Sequence, residues 1–211
     1  MWRELGEWEH AYLSEIDGFG EEPDASVRLV ESAFGLRDRD PEGALALFQE
    51  AAAAGSAPAV EMVGWHHEVG EILPQDLGAA ERAYHQAICA GSWSATLRYA
   101  KLLARRGDVA GCENVLRDGV EFDFVPAFFW LAWYRYKWAP TRATARDIRP
   151  LLERAEGRGH PIARKFLAGL MLRGKFGIRH IPDGLRIILG DDTRPKLGAA
   201  GPVCGAPVAA G

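Results

Sequence analysis

Residues 59–95 read AVEMVGWHHEVGEILPQDLGAAERAYHQAICAGSWSA, and this stretch decides the fold. Asp76 opens its second half, apolar residues follow 4, 8, 11 and 19 positions later, and a glycine follows after 15. The same pattern starts at Asp40, Asp108 and Thr144, so that successive copies begin 36, 32 and 36 residues apart. An internal period of about 34 residues is typical of stacked helical pairs.

Each copy predicts a helix, a turn and the start of a second helix. The repeated residues are Asp40, Ala44, Phe48, Ala51, Gly55 and Ala59; Asp76, Ala80, Tyr84, Ala87, Gly91 and Ala95; Asp108, Cys112, Leu116, Gly119, Asp123 and Ala127; and Thr144, Ile148, Leu152, Ala155, Gly159 and Ala163. The apolar positions fall on one helix face, which we expect to be buried. The start residues are predicted N-caps, and the glycines predict left-handed turns. Asp123 replaces glycine in the third copy and predicts a distorted or longer turn there.

The stretch 59–95 resembles the Sel-one-like repeat, a member of the tetratricopeptide-like superfamily. The matching positions are Ala59, Gly64, Gly70, Asp76, Ala80, Tyr84, Ala87 and Gly91. The resemblance covers roughly residues 25 to 190 and implies an all-α fold, a right-handed α/α superhelix of about four helix-turn-helix repeats with terminal caps. Three departures affect local geometry: His67 stands where tyrosine is usual, the loop before Asp108 is short, and the loop before Asp183, which is predicted to start the last helix, is long.

The chain is predicted to have three parts. Residues 1–22 carry apolar side chains at three- and four-residue steps, which indicates a helix that caps the first repeat, followed by a linker from Gly18 to Pro23. Residues 23–190 form the repeat domain. Residues 191–211 are rich in glycine, alanine and proline and are predicted to be disordered.

Composition favours a cytoplasmic protein that has no membrane segment. The 211 residues are 48% hydrophobic, which is enough to build a core. Three cysteines without paired spacing favour a reducing compartment, and neither a signal peptide nor a run of apolar residues long enough to span a membrane is evident. The high use of Ala, Gly and Arg suggests a bacterial source.

Partner-facing positions follow from the register of the first helix in each pair, which commonly lines the concave side of a superhelix. Offsets 2, 6 and 9 point away from the core stripe. The residues that we select there as partner-binding are Glu61, Trp65, Glu68, Lys101, Phe129, Trp133, Tyr136 and Lys165.

Residues 127–138 form a helix with aromatic residues on every side. We interpret Phe128, Trp130, Tyr134 and Trp138 as core, and leave Phe129, Trp133 and Tyr136 open between core and partner surface. A homodimer seam through the same helix is a third use of this patch.

The leading functional hypothesis is a noncatalytic adaptor that binds a protein or peptide on the concave face and needs no cofactor. The first alternative is a metal-dependent protein or enzyme with a site near His66, His67 and His85. The second is binding of an anionic polymer by the basic half: residues 1–105 contain 8 basic and 18 acidic residues, and residues 106–211 contain 17 and 11. No nucleic-acid motif accompanies these charges, so nucleic acid is not the expected partner.

Overall fold

The structure, a computed structural model, describes residues 2–16 and 24–190. Within these ranges it contains eleven α-helices, a short 3₁₀ helix (Ile178–His180) and no β-strand, which confirms the all-α prediction. The α-helices are α1 (Trp2–Ile16), α2 (Asp24–Leu36), α3 (Pro41–Ala53), α4 (Ala57–Val69), α5 (Leu77–Cys89), α6 (Trp93–Arg106), α7 (Val109–Glu121), α8 (Val125–Trp138), α9 (Arg142–Gly157), α10 (Pro161–Leu172) and α11 (Ile181–Leu189). The linker predicted from Gly18 to Pro23 and the tail predicted for 191–211 both lie entirely outside the described residues.

The helices group into two compact units. One contains α2 to α6, and the other contains α7 to α11 together with α1 as far as Tyr12. The boundary lies at the short loop noted in the sequence, where Gly107 ends α6 in a left-handed conformation and Asp108 immediately caps α7. From α2 to α6, and again from α7 to α11, each helix packs against the next one in sequence.

The repeat register predicts the core. The apolar side chains at offsets 4, 8, 11 and 19 are fully buried in every copy. They are Ala44, Phe48, Ala51 and Ala59; Ala80, Tyr84, Ala87 and Ala95; Cys112, Leu116 and Ala127; and Ile148, Leu152, Ala155 and Ala163. The third copy has Gly119 at offset 11, which is also buried.

Two helix pairs cross so closely that one side must be glycine. A Cβ atom added to Gly64 of α4 would lie 2.9 Å from the Cβ atom of Ala83 on α5. A Cβ atom added to Gly184 of α11 would lie 3.0 Å from the backbone oxygen of Ala168 on α10. At the first crossing the glycine faces an alanine side chain, and at the second it faces the backbone of Ala168 and the Cβ atom of Met171, at 2.9 Å from the added Cβ atom.

The last helix is only partly covered within its unit. Gly184 and Ile187 of α11 are buried against α10, whereas Leu185, Ile188 and Leu189 are 48%, 55% and 78% exposed. This helix begins at Ile181, earlier than the predicted start at Asp183, which lies in its first turn.

Three of the four predicted caps are confirmed. Asp40, Asp76 and Asp108 accept hydrogen bonds from the backbone N–H groups of Gly43, Ala79 and Gly111, each at 2.9 Å.

The fourth predicted cap, Thr144, is wrong. Thr141 caps α9 instead and accepts from the N–H of Thr144 at 3.0 Å. The cause is an early start of this helix: Thr141 has extended backbone directly after Pro140, and α9 has 16 residues where α3, α5 and α7 have 13.

A second set of caps, three residues before the repeat alanines, was not predicted. Ser56 and Ser92 cap α4 and α6 by accepting from Ala59 and Ala95. At the same position before α10, the imidazole Nδ1 of His160 accepts from the N–H groups of Ile162 and Ala163 at 3.3 and 3.2 Å. The α8 copy has Phe124 there and no side-chain cap.

Asp123 keeps the turn of its glycine counterparts, so the expectation of a distorted or longer turn is wrong. Its φ is +60°, and the N–H groups of Asp123 and Phe124 bond the carbonyls of Val120 and Gly119 as in the glycine turns. An aspartate tolerates this left-handed conformation better than most residues, although it is strained relative to glycine. Its carboxylate also accepts from Arg154 and Arg158, which anchors the turn to α9 and to the residue just after it.

The N-terminal helix packs on a surface that the sequence did not predict. Its described contacts lie on α8, α10 and the residues just before them. Leu5 is 2% exposed, Trp8 lies 4.7 Å from the His160 ring, and Tyr12 lies 6.2 Å from the Phe124 ring. The amphipathic helix is confirmed, and capping of the first repeat by this helix stays a prediction.

We predict that Asp123→Ala destabilises the protein more than Asp123→Gly. Both variants lose the ion pairs to Arg154 and Arg158, but only alanine keeps the strain of a left-handed residue, which costs about 1–2 kcal/mol. Urea unfolding followed by circular dichroism measures the difference, expected to be about 1 kcal/mol. An alanine variant as stable as the glycine variant would show that the turn is not strained.

We predict that acid destabilises the protein through His160. Burial lowers the pKa of His160 to about 3, against about 6.5 in the unfolded chain. The unfolded chain therefore binds more protons between these values, so this stabilising effect is complete above pH 6.5 and is lost as the pH falls toward 3. The loss amounts to about 2 kcal/mol between pH 8 and pH 5.

The control for this effect is His160→Ser, because serine is the cap at the equivalent positions before α4 and α6. Urea titrations at pH 8 and pH 5 give the stability difference between wild type and variant at each pH. From pH 8 to pH 5, we expect the free energy of unfolding of the wild type to fall by about 2 kcal/mol more than that of His160→Ser. A difference that does not change with pH would assign the acid sensitivity to other groups.

Candidate partner-binding cleft

A cleft of about 350 Å³ opens between the C-terminal half of α8 and helix α10. Its described lining consists of Trp133, Tyr136, Lys137, Lys165, Phe166, Gly169 and Arg173. All of these residues belong to the unit of α7 to α11, so the cleft is formed within one compact body.

Aromatic rings form the apolar part of the cleft. Phe166 of α10 lies 5.3 Å from the ring of Trp133 and 5.8 Å from the ring of Tyr136. Phe129, which is fully buried beneath them, lies 6.2 Å from Phe166. Because each ring is held by its neighbours, the surface is ordered before any ligand arrives, which lowers the entropic cost of binding.

The rim of the cleft is basic. Lys137, Lys165 and Arg173 are exposed, and none of the residues that line the cleft is acidic. A fourth cation, Lys175, donates to the carbonyl of Pro140 at 3.1 Å, and its Nζ lies 5.7 Å from the centre of the Tyr136 ring. The cleft therefore combines an aromatic surface with a positive field.

Gly169 leaves space in the wall of the cleft. A Cβ atom added at this position would meet no heavy atom within 4 Å. The glycine is therefore not required by helix packing, in contrast to Gly64 and Gly184, and a larger side chain at 169 would enter the cleft and leave the core undisturbed.

The structure brings together three of the predicted partner-binding residues, Trp133, Tyr136 and Lys165. The expectation that Phe129 faces a partner is wrong, because its ring is fully buried against His160 at 4.4 Å. Sequence reasoning missed Phe166, which lies next to the core stripe of α10 and not at a partner-facing offset.

The predicted residues on α4 and α6 belong to the other unit. Glu61 is only 4% exposed. Its carboxylate accepts a hydrogen bond from Ser92 Oγ at 2.8 Å and forms a salt bridge with Arg98. Its assignment as an exposed partner contact is therefore wrong, since the carboxylate links α4 to α6 and to the cap of α6.

Glu68, Trp65 and Lys101 are half-buried in that unit. Glu68 pairs with Arg105 and accepts from the hydroxyl of Tyr84 at 2.5 Å, and Trp65 packs edge-on against His66 at 4.9 Å.

The remaining aromatic residues of α8 divide between core and surface. Phe128 and Tyr134 are buried, in agreement with the prediction. Trp130 and Trp138 are only partly buried: the indole of Trp130 donates to Glu9 of α1, and Trp138 stacks on Tyr134 at 5.2 Å.

The histidines considered for a metal site do not converge on one. His66 is buried between Phe48 and Trp65, and burial lowers its pKa. His85 is exposed, and its Nδ1 lies 3.7 Å from Cys89 Sγ. Among residues 2–16 and 24–190, no three His, Cys, Asp or Glu side chains are placed to hold a metal ion.

No α-helix in the described part of the chain is both long enough and apolar enough to cross a bilayer.

Comparisons with known proteins give a structural match alone. No protein-family model and no curated protein matches the sequence. A Sel1 repeat protein from Oxalobacter formigenes has a similar solved structure, with a TM-score of 0.64 and 14% sequence identity, over 95% of this chain and 93% of that one. The expectation drawn from residues 59–95 is thereby confirmed for the fold: this chain has the all-α helical-repeat fold of a Sel1 repeat protein.

Proposed function

We propose that the protein is a noncatalytic interaction adaptor that binds an acidic peptide segment of another protein in the cleft between α8 and α10. The observation that carries the proposal is the aromatic cleft with a basic rim. The fold alone does not decide function, so the argument rests on the chemistry of this site.

The aromatic rings support recognition of an apolar side chain. Trp133 and Tyr136 are half-buried, and tryptophan and tyrosine at such positions often dominate binding energy because they bury a large area at low entropic cost. An aromatic or aliphatic side chain of the ligand would pack against Phe166 in the space beside Gly169. This contact would supply most of the affinity.

The rim supports selection for negative charge. Lys137, Lys165 and Arg173 surround the apolar surface, and no carboxylate lines the cleft to oppose them. Aspartate or glutamate residues flanking the apolar anchor would complement this field, increase the association rate and exclude basic peptides.

The same basic half gives less support to binding of a long anionic polymer. Many of its cations are already within salt-bridge distance of carboxylates in the unit, among them Arg135, Arg149, Arg154, Arg158 and Arg164. Lys137, Lys165 and Arg173 place positive charge around a cleft of only about 350 Å³. A short acidic segment fits this arrangement better than a continuous polyanion.

We expect the full chain to bind 15-residue acidic peptides that carry one central Trp, Phe or Leu, and not the matched peptides with lysine in place of the acidic residues. Trp133→Ala should weaken binding about 10- to 100-fold, because truncating a central aromatic residue commonly costs about 1.5–3 kcal/mol. Gly169→Phe should abolish binding by filling the cleft. Fluorescence polarisation with labelled peptides measures both effects.

Charge reversal gives the matched control. Lys165→Glu should weaken binding about tenfold at low salt and less at high salt, because it places a negative charge on the rim. Arg146→Glu makes the same change at an exposed position of α9 outside the cleft and should alter affinity less than about twofold. Equal effects of the two reversals, or tight binding by Gly169→Phe, would remove the cleft as the site. Stronger binding of single-stranded DNA than of any acidic peptide would favour the polymer alternative, and a dimer lost in Trp133→Ala would favour a homodimer seam.

A further inference from the structure

The N-terminal helix occupies the aromatic face of α8 and α10 next to the cleft. Leu5, Trp8 and Tyr12 lie on one side of α1 at an i, i+3, i+7 spacing and contact the unit through one continuous stripe. This is the spacing with which an amphipathic helix binds in a groove.

Helix α1 is acidic, whereas the part of the chain that it packs on is basic in composition. Residues 2–16 contain four glutamates and one arginine, whereas residues 124–190 contain 13 basic and 4 acidic residues. One of the glutamates, Glu9, is only 8% exposed and accepts a hydrogen bond from the indole N–H of Trp130. The face is therefore seen with an acidic amphipathic helix bound to it.

Side-chain contacts hold α1 at this position. The Glu9–Trp130 contact joins residues 121 positions apart, and the helix that follows α1 in sequence, α2, belongs to the other unit. Because α1 is part of the same chain, it binds the face in the manner of a linked ligand at a high effective concentration.

The surface under α1 is continuous with the cleft. Phe129 contacts the ring of His160, on which Trp8 packs, and it also contacts Trp133 and Phe166 in the cleft. Leu5 belongs to the same core cluster as Phe129, and Trp133 and Phe166 pack against that cluster. An occupant of the cleft that extends along α8 and α10 would reach the position of α1.

We propose that α1 is a displaceable occupant of the α8–α10 face, and that the partner is an acidic amphipathic helix with apolar side chains at the i, i+3, i+7 spacing of α1. This inference rests on the proposed function, since it names the partner class and the control of the same site. Binding of such a partner helix requires α1 to leave the face. The apparent affinity for the partner is therefore the intrinsic affinity multiplied by the fraction of molecules in which α1 is undocked.

The test uses the full chain and a fluorescein-labelled peptide with the sequence of residues 2–16. Substitutions are made only in the chain's own α1, so that the face itself and the peptide stay unchanged. Glu9→Ala removes the bond to Trp130, and Trp8→Ala removes the packing on His160. Both should release α1 and tighten peptide binding at least fivefold relative to wild type.

Gly6→Ala provides a change in the opposite direction. Gly6 is exposed in the middle of α1, and a Cβ atom added there meets nothing within 4 Å. Alanine favours the helix, so this variant should hold α1 in place and weaken peptide binding below that of wild type. A scrambled peptide of the same composition lacks the i, i+3, i+7 spacing, so it should bind more weakly than the native peptide and should not respond to the α1 variants.

A fixed structural role for α1 predicts a different result. Glu9→Ala and Trp8→Ala would then lower the melting temperature without tightening peptide binding, and Gly6→Ala would leave binding unchanged; either result would overturn the proposal. If the Trp8 variant does not fold, Glu9→Ala and Gly6→Ala still decide. A concentration-dependent wild-type dimer that the peptide dissociates would also overturn it, since α1 would then be exchanged between copies.

The two proposals fail separately. Binding of short acidic peptides that is lost in Gly169→Phe, together with no response to the α1 variants, would leave the cleft as a site and overturn the role of α1. Tighter binding of the residue 2–16 peptide by the α1 variants, with an affinity that Gly169→Phe does not change, would keep the displaceable helix and overturn the cleft as a site.

Discussion

The close approach of neighbouring helices at small side chains is the constraint on which the rest of the structure depends. Alanines of the repeat are completely buried, and at the crossings of α4 with α5 and of α10 with α11 even an alanine in place of Gly64 or Gly184 would be too large. Tight crossings fix the axial position of each helix against the next. The axial position of a helix determines which of its side chains lie outside the buried apolar stripe, and these side chains determine where a binding site can form.

The sequence predicted the parts of the fold that depend on one helix and its nearest turn. Core positions, the three aspartate caps and the glycine turns are local features, and each has a residue type with a distinct physical role. The turn at Asp123 was predicted wrongly because aspartate, like glycine, can adopt the left-handed conformation. The cap at Thr144 was predicted wrongly because another threonine, Thr141, lies one turn earlier and caps the helix. The caps at Ser56, Ser92 and His160 were not predicted because these residues lie outside the apolar register, three positions before its alanines.

The site was predicted only in part because exposure depends on the next helix. Glu61 and Phe129 occupy the same offset in their helices, and both point away from the core stripe of that helix. Glu61 is nevertheless covered by the cap residues of α6 and by Arg98, and Phe129 by His160. No periodicity within one helix reveals such covering. Trp133, Tyr136 and Lys165 were predicted because they lie outside the core stripe of their own helices and line the cleft, and Phe166 was not predicted because it borders that stripe.

The position of α1 also determines the order of folding. An N-terminal helix that binds His160 leaves the ribosome long before its docking surface has been synthesised, whereas the helices of α2 to α6 find their neighbours immediately. Contacts between residues so distant in sequence form late, because a large loop has to close first. During synthesis the stripe of Leu5, Trp8 and Tyr12 therefore stays exposed to solvent and to chaperones until residues 124–172, which contain its docking surface, have been made.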